Sequence, residues 1–264
     1  MLQPVRAAHP ASPAADSLRD RVVLVTGATG GLGRATALAA ATAGATVVLL
    51  GRNVRSLESL YDEVESLGAP QPAAYPMDLA GATPKDYCDL ATAIERECGR
   101  LDGLVHAAAQ FDGLQPFDQQ TPAEWTRTQQ VNVTAPFLLS QACLPLLRRA
   151  DDAAIVFVFD DVARVGNAFW GGYGVSKHAL LGLASIVHEE TERSNVRTHA
   201  VLPGPMRTRL RRAAYYGEDT MGHPDAAHAA AAIAWLLGGD GSEVRGKVLD
   251  LREERPPEES GIVS

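Results

Sequence analysis

In the run Tyr173-Gly-Val-Ser-Lys177 a phenol and an ammonium stand four residues apart. On a helix that spacing puts both side chains on one face, so they can point into one cleft. A free tyrosine titrates near 10, too high for a base at neutral pH, and a nearby positive charge lowers that value by favouring phenolate. The pair is equipped for proton transfer. A Tyr–Lys pair standing alone is more often surface decoration, so the scaffold has to decide.

That scaffold alternates strand and helix. Strand-like runs are expected at Arg21–Thr26, Thr46–Leu50, Ala73–Met77, Leu101–His106, Ala154–Phe159, Arg197–Leu202 and Lys247–Leu251. Helical patterns lie between them at Leu32–Ala43, Val54–Leu67, Pro84–Cys98, Pro122–Arg149, Tyr173–Arg193 and Pro224–Leu237. Each parallel step needs a crossover helix, so the pattern predicts an α/β fold. It is a single-domain, Rossmann-type, doubly wound parallel sheet of seven strands with helices on both faces.

The first strand runs into Thr26-Gly-Ala-Thr-Gly-Gly-Leu-Gly33 and then a helix. Glycine there permits a tight turn and close approach of backbone to a pyrophosphate, while the helix N-terminus offers free N–H groups. Gly27, Thr29, Gly30, Gly31, Leu32 and Gly33 are therefore candidate cofactor contacts. At the end of the second strand, where a carboxylate would accept from a ribose 2′-hydroxyl, stand Gly51 and Arg52. A guanidinium suits a 2′-phosphate, which favours NADP (NADPH) over NAD, with Arg34 as a further cation. The bland reading of Arg52 is a solvated residue at a helix start. Asp78-Leu79, after the third strand, is placed to meet the adenine amino group.

With these residues assembled, the chain resembles the classical short-chain dehydrogenases/reductases from about Leu18 to Leu251. Thr26 to Gly33 matches that family's cofactor loop, and Tyr173-x-x-x-Lys177 its catalytic pair. The resemblance makes Asn132, within Val-Asn-Val, the Asn of the catalytic tetrad, holding a proton-relay water. It makes Pro203-Gly204, with Thr208, the segment that holds the nicotinamide and phosphate side. It implies an oxidoreductase interconverting a carbonyl and an alcohol on a small-molecule substrate. Lys177 would lower the pKa of Tyr173 and bind ribose.

Two departures stand out. The family's substrate-orienting Ser, thirteen positions before the Tyr, is Asp160 here, and residues 141–175 contain no Ser or Thr. An ionised Asp160 cannot donate to a carbonyl and would raise the pKa of Tyr173. A protonated Asp160 in a site that suppresses ionisation can donate. Asp161 should face away, because neighbours on a strand alternate. The family's Asn-Asn-Ala-Gly is His106-Ala-Ala-Ala109, which keeps small volume at Ala107 but loses the Asn bonds. These departures also fit an alternative, a catalytically impaired cofactor-binding protein acting as regulator or scaffold.

Beyond Gly204, Arg207, Arg209, Arg211, Arg212, Tyr215 and Tyr216 read either as a lid for an anionic substrate or cofactor phosphate, or as a solvated basic face. Phe111, Phe169 and Trp170 lie in segments that would wall the substrate pocket, and they read equally as oligomer contacts or core.

The net charge of −8 over 264 residues, with no long basic run, argues against nucleic acid as a partner. No apolar run predicts a membrane span. Three cysteines without a C-x-x-C read as reduced thiols of a cytoplasmic protein, and the scattered histidines give no metal site. Residues 1–17 lack a secretory core and are expected to be a disordered tail; 18–251 form the NADP-binding domain, and 252–264 a flexible tail. By analogy, the helices at Thr121–Arg149 and Tyr173–Arg193 would pair copies into a homodimer or homotetramer.

Overall fold

The computed structural model describes residues 2–6 and 14–252. Its centre is one parallel sheet. The strands are β1 (Gln3–Val5), β2 (Val22–Thr26), β3 (Thr46–Gly51), β4 (Ala73–Pro76), β5 (Gly103–His106), β6 (Ala153–Val158), β7 (Val196–Leu202) and β8 (Lys247–Asp250). They lie in the order β1-β8-β7-β6-β5-β2-β3-β4. Helices α1 (Gly31–Thr42), α2 (Val54–Ser66), α3 (Pro84–Cys98), α4 (Pro122–Gln129), α5 (Ala135–Leu147), α6 (Val162–Val165), α7 (Gly171–Thr191), α8 (Arg209–Ala214) and α9 (Ala227–Leu237) connect them.

Central strands read as unbroken apolar runs because both faces are covered. Every residue of β2, β5 and β6 is buried. One core cluster joins Val23, Val25 and Leu49 to the apolar sides of α1 and α9. The other joins Leu24, Leu104 and Ile155 to α3 and α5. The chain winds outward from β2 through β3 to β4, then crosses to β5 on the other side of β2. The carboxyl ends of β2 and β5 thus flank the point where strand order reverses, the usual ligand crevice of such sheets.

The sheet has eight strands, not seven. The added strand, β1, falls in the segment expected to be a disordered tail, and it pairs with β8 in register Pro4↔Val248. Its cause is tertiary. The edge of β8 offers unpaired backbone groups, and Leu2 is buried with its N–H donated to Ser185 Oγ at 3.3 Å. The rest of that expected tail includes residues 7–13, outside the described residues, and the expected tail at 252–264 is described only at Arg252.

The helix expected over Pro122–Arg149 is also interrupted, by a π-helical turn at Gln130–Thr134. Pro136 has no N–H, so the Asn132 carbonyl lacks its ordinary i+4 donor and the helix is released from α geometry there.

Candidate active site

The strand ends at the crevice build the cofactor cradle first. Gly27 has φ +63, and a Cβ there would come within 2.7 Å of Ala108 Cα. The loop therefore closes tightly against the end of β5. Thr26 Oγ1 donates to the Val105 carbonyl at 3.2 Å and accepts from the N–H groups of Ala107 and Ala108 at 3.1 Å each. Those bonds fix His106-Ala-Ala-Ala109 by its backbone. His106 itself is core: its Nε2 lies 2.9 Å from Ser140 Oγ, its ring stacks on Phe157, and burial lowers its pKa to about 3.

No side chain caps the N-terminus of α1, which leaves its first N–H groups for an anion. A Cβ on Gly31 would meet Thr208 Cγ2 at 2.9 Å, and one on Gly33 would meet the Gly27 carbonyl at 2.2 Å. Thr208 caps α8, accepting from Arg211 N–H at 3.2 Å, and so brings the Pro203–Thr208 segment onto the glycine loop. Leu32 is buried and Thr29 lines Gly51. Arg34 is taken by Glu63. Arg52 is exposed without an ion pair among the described residues, close to the loop through the Gly51–Thr29 contact. Asp78 is exposed and turns back to accept from Ala80 N–H at 3.1 Å, with Leu79 buried beside it. This donor-rich cradle, with a free guanidinium at its rim, fits a dinucleotide carrying a 2′-phosphate.

Next to the cradle, α7 presents Tyr173 and Lys177, each only 4% exposed. The Lys177 ammonium lies 5.4 Å from the Tyr173 ring centroid and donates to the Val158 carbonyl at 3.2 Å. The Tyr173 hydroxyl donates to Asp160 Oδ2 at 2.9 Å. Asn132, in the π turn, accepts from Gln110 N–H at 2.7 Å. It donates to the Gln110 carbonyl at 3.0 Å and to Ser176 Oγ at 2.9 Å. Ser176 Oγ in turn donates to the Tyr173 carbonyl at 2.7 Å.

Charge at this site differs from the simplest expectation. Tyr173 sits well above 10, because burial and then the neighbouring Asp160 oppose phenolate. Lys177 does not pull it down; burial instead lowers the lysine to about 8. Nor does Asp160 stand among apolar walls alone. Arg164 forms an ion pair with its Oδ1, which also accepts from Asp161 N–H at 2.8 Å. Trp170 and Phe111 do wall Tyr173, with ring centroids 5.7 and 5.0 Å away, but Phe169 is 56% exposed and has φ +74.

Asp161 faces away from Tyr173, capping α6 and pairing with Arg252 at 2.6 Å. In the arginine-rich segment, Arg211 is held by Glu218 at 2.5 Å and Arg207 approaches Asp225 at 3.7 Å. Arg209 and Arg212 are exposed.

Arg164, Ser176 and Gln110 join the site without a signal in the motifs above, and Tyr215, expected in a lid or basic face, meets Arg164. Arg164 could have been found as the cation four residues beyond Asp160.

The short chain dehydrogenase family profile matches residues 21–219, and the chain belongs to that family of oxidoreductases. A relative in Escherichia coli strain K12, named as the uncharacterized oxidoreductase YciK, is 36% identical over 245 residues, spanning 93% of this chain and 97% of its own. The crystal structure of a short chain dehydrogenase from Shigella flexneri superposes with a TM-score of 0.87 at 36% identity, covering 93% of this chain and 96% of that one. A crystal structure from Escherichia coli CFT073, complexed with NADPH, superposes with a TM-score of 0.87 at 37% identity, covering 91% of this chain and all of that one.

Proposed function

We propose that the protein is an NADPH-dependent reductase of a carbonyl on a small molecule, with Tyr173 as the proton donor. The observation that carries this reading is the buried Tyr173 hydroxyl hydrogen-bonded to Asp160, with Lys177 on the same helix face. A tyrosine held well above 10 keeps its proton throughout the neutral range, and it delivers that proton to substrate once the carbonyl oxygen replaces Asp160 Oδ2 as the acceptor of the hydroxyl.

NADPH supplies the hydride when bound. Gly27, Thr29, Gly30, Gly31, Leu32 and Gly33 would hold its pyrophosphate, Arg52 the 2′-phosphate, and Asp78 with Leu79 the adenine. Ala107, Pro203, Gly204 and Thr208 would flank the nicotinamide half. Support for NADP comes from the free Arg52 guanidinium and from the NADPH-bound relative. Lys177 would bind the ribose and carry a positive charge beneath Tyr173. Asn132 would hold the relay water that returns the proton to Tyr173. Asp160 takes the position of the family's Ser, acting as acceptor for the Tyr173 hydroxyl rather than as donor to substrate.

The exposed Phe137 of α5 and Val175 and Ile186 of α7 support assembly into a dimer or tetramer. The unpaired thiols agree with a cytoplasmic location. No helix among the described residues is long and apolar enough to cross a membrane.

The test is a screen of purified protein against aldehydes and ketones with NADPH and NADH, paired with fluorescence titration of both nucleotides. NADPH turnover with any carbonyl, and weaker NADH binding, is the expected result. Tight NADPH binding with no turnover on any carbonyl would replace this reading with that of a cofactor-binding regulator.

A further inference from the structure

Resting on the reductase reading above, we propose that Arg164 is a positioning residue for the reaction. It fixes the Asp160 carboxylate against the Tyr173 hydroxyl, and Tyr215 fixes Arg164 in turn.

The allocation of Asp160's two oxygens carries the argument. Oδ1 is taken by the Arg164 guanidinium and by the Asp161 N–H at 2.8 Å. Oδ2 is thereby left to the Tyr173 hydroxyl, at 2.9 Å. The carboxylate is only 15% exposed, so its charge needs a partner. Without Arg164 the carboxylate is free to turn toward water, and the Tyr173 hydroxyl loses the partner that orients it until a substrate oxygen takes over its proton.

Arg164 cannot swing freely. Its guanidinium lies 5.0 Å from the Trp170 ring and 5.4 Å from the Tyr215 ring, and it donates to the Tyr215 hydroxyl. Tyr215 follows α8 and lies under Arg211 at 3.8 Å, which Glu218 holds at both terminal and inner nitrogens. A continuous run of contacts therefore links α8 and the turn after it to the Tyr173 hydroxyl, through Glu218, Arg211, Tyr215, Arg164 and Asp160.

Steady-state NADPH oxidation with a carbonyl that wild type reduces tests this, using Arg164→Met, Arg164→Lys, Tyr215→Phe, Asp160→Ser and the Asp160→Ser/Arg164→Met double variant. Arg164→Met should lower kcat about tenfold to hundredfold while leaving the KM for NADPH within about threefold. Arg164→Lys should restore part of the loss, and Tyr215→Phe should show a smaller loss of kcat in the same direction. Because Arg164 acts through Asp160, the double variant should be no slower than Asp160→Ser alone. Losses that multiply in the double variant, or no rescue by lysine, would reduce Arg164 to a structural staple and overturn the proposal. If Arg164→Met does not fold, Tyr215→Phe with unchanged kcat overturns it equally. A wild type inactive on every carbonyl would instead overturn the reductase reading beneath it.

Discussion

Tyr173 and Asp160, thirteen residues apart in sequence, are joined by one hydrogen bond of 2.9 Å from phenol to carboxylate. The bond places a negative charge beside a buried hydroxyl, and burial together with that charge holds the tyrosine well above 10. The tyrosine therefore keeps its proton at neutral pH, and the Arg164 guanidinium, paired with the same carboxylate, works against the rise.

The pH dependence of the reaction follows from Lys177. Its folded value, lowered to about 8 by burial, means the ammonium is present below pH 8 and lost above it. Tyr173 stays protonated across that range. The kcat for carbonyl reduction should be level near pH 6–7 and fall as pH rises through about 8. A rate that climbs steadily from pH 7 to 10 would identify a phenolate, not a phenol, as the active form.

Lys177 should also be a burden on the fold. Its folded value lies below the ordinary 10.5, so between about 8 and 10.5 the unfolded chain binds more protons and stability rises with pH. Below 8 the cost of burying the ammonium is fully present, up to about 3 kcal/mol. Lys177→Met removes that cost together with the hydrogen bond to the Val158 carbonyl, worth about 1 kcal/mol. At pH 7 urea unfolding should show a gain of about 1–2 kcal/mol, accompanied by loss of nearly all activity.

Arg52 should decide between the two nicotinamide nucleotides. Among the described residues Arg34 is bound to Glu63, whereas Arg52 is exposed without an ion pair. A charge-assisted bond of about 1.5–3 kcal/mol predicts a tenfold to hundredfold weaker NADPH affinity in Arg52→Ala. NADH affinity should change by less than about threefold, and isothermal titration of both nucleotides checks this.

Much of the architecture is legible in the chain because the relevant signals are local. Alternating apolar runs and crossover helices announce the parallel sheet, and Thr26 to Gly33 marks its first turn. The edge strand Gln3-Pro-Val5 is not legible, since three residues around a proline carry no periodicity and the strand exists because β8 offers an open edge. The π turn at Asn132 was hidden inside a helical pattern, although Pro136 announces the missing donor. Arg164 escaped for another reason. Asp160 follows a strand, where residues four apart do not meet, and Arg164 reaches it because Asp161 caps the short helix α6. Tyr215 meets it only through the tertiary fold.

The measurement that bears most directly on the whole account is the rate of NADPH oxidation by Tyr173→Phe, with an active carbonyl, compared with wild type. The ring packing against Phe111 and Trp170 survives that change, so only the hydroxyl is lost. Removal of the proton donor should lower kcat by about 10²–10⁴-fold, with NADPH affinity held within about threefold. A Tyr173→Phe variant that turned over at the wild-type rate would contradict the assignment of Tyr173 as the acid.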